Sequence, residues 1–154
     1  MHSIASLLTH LKLDYPQFSF VKATTFSWSP SEQTVYYTTT EANNNHSIDF
    51  LLHELSHAVL GHADYTRDVE LIAMERQAWD KAIELADTYD AHIDDSIIET
   101  TLDSYRDWLH ARSTCPTCSA TGLQVKNRTY NCPVCHGQWR VNEARICALR
   151  RYNL

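Results

Sequence analysis

The chain contains no apolar run approaching the ~20 residues needed to span a bilayer, so a transmembrane segment is excluded, and no internal repeat or low-complexity linker is visible. Glycine is scarce: there are only 3, at positions 61, 122 and 137, and each invites a turn reading. Also missing near the N-terminus are a basic leader and a small-residue cleavage site. Ile4, Leu7, Leu8 and Leu11 instead recur at helical spacing, which predicts an amphipathic helix over residues 1–13 rather than a signal peptide. The expected setting is a reducing, cytoplasmic one, where cysteines bind metal more often than they pair as disulfides.

What remains is a foldable chain of 154 residues, 44% hydrophobic and 21% charged, enough for one compact domain and a small appendage. Its charge is uneven. Residues 1–112 hold 7 Lys/Arg against 18 Asp/Glu, net −11, whereas residues 113–154 hold 6 against 1, net +5. This contrast predicts two modules, 1–112 and 113–154, with different partners.

Aromatic and β-branched residues over 18–28 and again over 34–39, separated by Ser29-Pro30-Ser31-Glu32, predict a β-hairpin. The stretch 34–39 is the expected exposed edge on which an extended substrate would add. Asn43-Asn44-Asn45 reads as a loop. Ser47 is the expected N-cap of a helix ending at Gly61. Further helices are predicted over 66–89 and 95–112, the latter with Ile98, Leu102, Tyr105 and Leu109 as its buried stripe.

The chemistry concentrates in His53-Glu54-Leu55-Ser56-His57. Histidines four apart share a helix face and can occupy two corners of a zinc tetrahedron. Glu54, roughly 100° round the helix from His53, is placed to accept the proton of a zinc-activated water as general base. The surrounding helix is apolar (Phe50, Leu51, Leu52, Leu55, Ala58, Val59, Leu60), so these polar groups need partners. On the following helix Leu71, Ile72, Met74, Ala78, Trp79, Ala82, Leu85 and Ala86 make one face, and Glu75 falls in its middle. A carboxylate there is costly unless paired or metal-bound. The short connection between the helices predicts an antiparallel pair that returns Glu75 to the histidines as third ligand. His62 is a rival ligand, or a supporting, substrate-facing or exposed residue.

The run His53-Glu54-Leu55-Ser56-His57-Ala58-Val59-Leu60-Gly61-His62 with Glu75-Arg76-Gln77-Ala78 resembles the small gluzincin-type metallopeptidases, especially ImmA/IrrE-like proteins, over roughly residues 18–88. The resemblance implies zinc ligands His53, His57 and Glu75, with Glu54 as base. It also implies an α+β fold, a mostly helical minimal zincin-type domain with a short β-sheet. Where those families place Asp or Asn to support a zinc histidine, this chain has Trp79, and Asp80 follows on the polar side. Tyr65, His62, Tyr105 and Arg106 are the candidates for stabilising an oxyanion.

Cys115-Pro116-Thr117-Cys118 and Cys132-Pro133-Val134-Cys135 form two Cys-x-x-Cys knuckles, the ligand set of a closed structural zinc site. Disulfides are the alternative. Gly122 and Gly137 are expected to serve tight turns past the knuckles. Cys147, in a helix predicted over 142–152, is expected to be a small core residue. The module resembles a zinc ribbon, a class that binds nucleic acid or protein. Lys126, Arg128, Arg140, Arg145, Arg150 and Arg151, with Tyr130 and Trp139, are its candidate phosphate and base contacts.

The expected function is hydrolysis of a peptide bond in a protein substrate by a zinc metalloendopeptidase holding two zinc ions, one catalytic and one structural. Two alternatives accompany it. An HExxH domain followed by a ribbon is also similar to SprT-like proteases that act on DNA-bound protein, although those use a third, downstream histidine. A non-catalytic regulatory or adaptor protein would carry only the ribbon ion.

Overall fold

The computed structural model describes residues 3–40, 46–143 and 148–154. Among them are four helices, α1 (Ile4–Asp14), α2 (Ser47–Leu60), α3 (Asp68–Thr88) and α4 (Asp95–Ser113). Seven strands accompany them: β1 (Ser19–Lys22), β2 (Ser27–Ser29), β3 (Thr34–Tyr37), β4 (Leu123–Lys126), β5 (Thr129–Asn131), β6 (Gln138–Val141) and β7 (Arg151–Asn153). The fold is α+β, with two small sheets ordered β1-β3-β2 and β4-β5-β6-β7. No described helix is long and apolar enough to cross a membrane. The chain forms two compact units, Met1–Ala63 with Met74–Ile98, and Asp64–Ala73 with Glu99–Leu154. That division differs from the compositional boundary after residue 112, because α3 and α4 each run through both units.

In the first unit, Ser3 caps α1 by accepting a hydrogen bond from the Ser6 amide at 3.2 Å, and Leu7, Leu8 and Leu11 are buried. The sheet corrects the expected hairpin. Residues 18–28 are two strands, not one, and they flank β3: β1 pairs with it in parallel and β2 antiparallel. The link of residues 23–26 carries the chain from one side of β3 to the other. Thr34–Tyr37 is therefore the central strand, with Val35 fully buried, and both of its edges are taken. It cannot be the substrate edge.

Helix α2 contacts β2, β3 and α1, and Leu51, Leu52 and Leu55 are fully buried. Truncating any one to alanine costs about 2–5 kcal/mol in such a setting. Ser47 is not the cap; it is the first helical residue, and His46 holds the cap position without a side-chain cap bond. Gly61 does end the helix, in the left-handed region at φ 68°, where a side chain is disfavoured. The Asn43–Asn45 loop lies outside the described residues.

The second unit is organised round a buried charge. Arg112 Nε lies 3.2 Å from Asp68 Oδ2 and donates to Tyr130 Oη at 3.0 Å, and the Tyr130 hydroxyl donates to Asp68. The guanidinium rests 4.1 Å from the Trp108 ring and Nη1 reaches the Glu143 carbonyl at 3.2 Å. All three charged or phenolic side chains are about 1% exposed. Removing one member of such a buried set costs about 3–5 kcal/mol. The buried stripe of α4 consequently runs through Ile98, Leu102, Trp108 and Arg112, while Tyr105 and Leu109 are only half-buried. Among the described residues of 142–152 there is no helix, and Arg151–Asn153 is a strand paired with β6. Arg145 and Cys147 lie outside the described residues.

Candidate metal centres

Two groups of metal-ligating side chains converge among the described residues: His53, His57 and Glu75, and Cys115, Cys118, Cys132 and Cys135. In each, one possible donor atom per residue lies within 4.8 Å of all the others.

The first group arises where α3 packs on α2. Their contacts run in opposite directions, Phe50 and His53 meeting Trp79 while His57 meets Glu75, as the antiparallel expectation required. His53 Nε2 is 3.0 Å from Glu75 Oε2, His57 Nε2 is 3.4 Å from Glu75 Oε1, and the two Nε2 atoms are 3.1 Å apart. Ligands at 2.0–2.1 Å on a tetrahedral zinc are separated by about 3.3–3.4 Å, so the donor spacing suits such an ion. All three side chains are buried. Burial alone would raise the Glu75 pKa, but hydrogen bonds and charge from His53 and His57 override it and hold the carboxylate well below its usual range. For His57, burial works against protonation, and the adjoining Glu75 and Glu54 carboxylates more than offset it.

Glu54 is not one of the converging donors. Burial raises its pKa, with the charges of His53 and His57 pulling the other way. Its carboxylate also feels the Trp28 backbone amide, which places β2 beside it.

The surroundings of the two histidines differ. Trp79 stacks on His53, ring centroids 4.1 Å apart and planes at 26°. An indole thus stands where the resembled families put a hydrogen-bonding side chain. His53 Nδ1 and Trp79 Nε1 are buried without a hydrogen-bond partner among the described residues, and Asp80 is exposed. His62 is half-buried, not exposed, and its Nδ1 lies 2.8 Å from His57 Nδ1. It therefore neighbours a candidate ligand and lies outside the converging group. Tyr65, Tyr105 and Arg106 belong to the second unit, where Arg106 pairs with Asp103 at 2.6 Å. Trp28, Gln77 and the stacking role of Trp79 were missed in the sequence. No residue spacing announces them, because their partners lie on other elements: Trp28 reaches the site from β2, and Gln77 and Trp79 from α3.

In the second group Cys115 Sγ is 3.6 Å from Cys135 Sγ, and Cys118 Sγ is 3.5 Å from Cys132 Sγ. A disulfide requires about 2.05 Å, and all four cysteines are free. Thiolates at 2.3 Å on a tetrahedral zinc stand about 3.8 Å apart, close to what is found. The two knuckles repeat one geometry. Cys115 and Cys132 amides donate to the Ala120 and Gly137 carbonyls, both at 2.8 Å, and Ser119 and His136 amides donate back to the Cys115 and Cys132 carbonyls. Backbone N–H groups also face the sulfurs. Those of Cys118 and Thr117 help bring the Cys115 thiol down to about 6, and those of Cys135 and Val134 lower Cys132. These amides favour the thiolate a metal needs.

The glycines act differently from expectation. The left-handed turn residues are Ser119 and His136, at φ 64° and 62°. Gly122 is required by close approach, since a Cβ there would sit 2.3 Å from the buried Trp139 ring. Tyr130 and Trp139 stack on each other in the core of the four-cysteine module and are 1% and 0% exposed, so neither is available to stack on bases. Comparison of the chain with protein families, with curated proteins and with solved structures finds no match.

Proposed function

We propose that the chain is a zinc-dependent peptidase in which His53, His57 and Glu75 hold the catalytic ion and the four cysteines hold a structural one. The observation that carries this reading is the buried convergence of Glu75 with the two imidazoles, while Glu54, one residue from a ligand, stays outside the donor set. A zinc ion there would supply Lewis acidity and a water of lowered pKa. Glu54 takes the proton from the attacking water and returns it to the departing amine nitrogen. Its raised pKa suits both halves of that transfer. Trp79 and the leucines of α2 keep bulk water from the inner side of the triad. The substrate edge passes from β3 to β2, which pairs only with β3 among the described strands and carries Trp28 next to Glu54. An extended peptide adding there would run past the base.

Glu75→Ala tests the assignment. Metal analysis of the dialysed wild-type chain is expected to give two zincs, and the variant one, with cleavage of an unstructured protein abolished. Two retained ions would place the third ligand elsewhere, and a wild-type chain holding only the ribbon ion would favour the adaptor alternative.

A second reading, in which the ribbon brings the enzyme to nucleic acid, gains from one observation. Lys126, Thr129, Arg140 and Tyr152 align across β4 to β7, and the Arg140 guanidinium lies 5.2 Å from the Tyr152 ring. Lys126, Arg140 and Tyr152 are exposed, so a basic and aromatic strip faces outward. Labelled single-stranded DNA should then bind with a log–log salt slope of about −0.7 per neutralised phosphate. Lys126→Ala with Arg140→Ala should shrink that slope; binding that is absent or insensitive to salt removes this version.

A further inference from the structure

We infer that His62 and Gln77 are positioning residues for the histidine–glutamate triad, fixing the tautomer and ring direction of His57 through a hydrogen-bonded chain. This rests on the proposal that the triad binds metal, and goes beyond it by assigning two residues outside the ligand set.

The chain of contacts is continuous. His57 Nδ1 lies 2.8 Å from His62 Nδ1, and His62 Nε2 lies 3.1 Å from Gln77 Oε1. An amide oxygen only accepts, so the His62 Nε2 carries hydrogen and donates to it. A neutral His62 then has a bare Nδ1, which accepts from His57 Nδ1–H. That leaves the lone pair of His57 on Nε2, the atom that converges with His53 and Glu75. A metal takes an imidazole in this form.

His62 is delivered to this place by its backbone. The left-handed Gly61 lets the His62 amide turn back and donate to the His57 carbonyl at 3.0 Å. The Trp28 indole then donates to the His62 carbonyl at 2.9 Å. Two bonds from separate elements thus hold the residue whose ring meets His57. The other histidine has no equivalent among the described residues, where His53 Nδ1 has no hydrogen-bond partner and Trp79 holds the ring by stacking. The two imidazoles are therefore oriented by different means, one through hydrogen bonds and one through packing.

The test uses the full chain and zinc itself, with a chelating indicator as competitor so that the two sites titrate separately. His62→Phe keeps a ring but removes both nitrogens. It is expected to weaken the triad site by about 10–100-fold and leave the four-cysteine site unchanged. His62→Asn, whose side-chain oxygen can take the place of Nδ1, should recover most of that loss. Nitrogen NMR of the zinc-loaded wild type should show His57 protonated at Nδ1 and His62 at Nε2. Equal affinity in His62→Phe overturns the inference, as does an equal loss in both variants, or a His62 protonated at Nδ1. A wild-type chain that binds only the ribbon ion overturns the metal assignment and this inference with it.

Discussion

Glu54→Gln should retain both metal ions and lose turnover by about 10²–10⁴-fold, the usual contribution of a general base. Glutamine is nearly isosteric but cannot accept a proton, so the substitution separates proton transfer from metal binding. Metal content should hold because Glu54 is outside the converging donor set. The measurement pairs metal analysis with the rate of cleavage of an unstructured protein. Full activity with both ions in place would remove Glu54 from the mechanism. The wild-type pH profile gives a second check. A base must be deprotonated to act, and burial raises the Glu54 pKa. Activity should therefore be present above that pKa and fall as pH drops through it, with the acid limb above the ordinary carboxylate value of about 4.3.

Cys132→Ser should have the largest effect on stability. Cys132 is buried, and its sulfur accepts from the Val134 and Cys135 amides, both at 3.4 Å. The core beside the four cysteines is small: Cys115, Tyr130, Cys132, Trp139 and Val141, with Ala120 and Leu149 at its margin. Structural zinc contributes about 10–16 kcal/mol of folding free energy in comparable small sites, more than such a core supplies. The variant should bind one zinc fewer and lose amide protection across β4 to β7 in hydrogen exchange. The strands most exposed by that loss would be β5 and β6, which carry the stacked Tyr130 and Trp139. Unchanged protection with one ion missing would show that the Asp68–Arg112–Tyr130 cluster holds the ribbon without metal.

Both sites were legible in the residues because their chemistry is local or periodic. Two Cys-x-x-Cys knuckles and an HExxH helix announce themselves by spacing, and Glu75 by being a carboxylate in the middle of an apolar face. The same periodicity located α3 and α4 to within two residues. It failed at Leu109, whose place in the stripe Trp108 takes, because the buried Arg112 draws that side of the helix inward. It failed also at Tyr130 and Trp139, where aromatic rings between basic residues suggested a binding surface and turned out to be core.

The amino-acid sequence by itself determined which side chains could ligate metal, which helices present them, and that Gly61 ends α2. Those properties follow from side-chain chemistry and a period of 3.6 residues, which are fixed within a few turns of chain. Only the tertiary structure decided that β3 is central, that Trp79 stacks on one histidine while His62 bonds the other, and that Arg112 is buried against Asp68. Each of these is a pairing between distant segments, and its partner is chosen by packing and by the need to satisfy buried polar groups, not by any pattern along the chain.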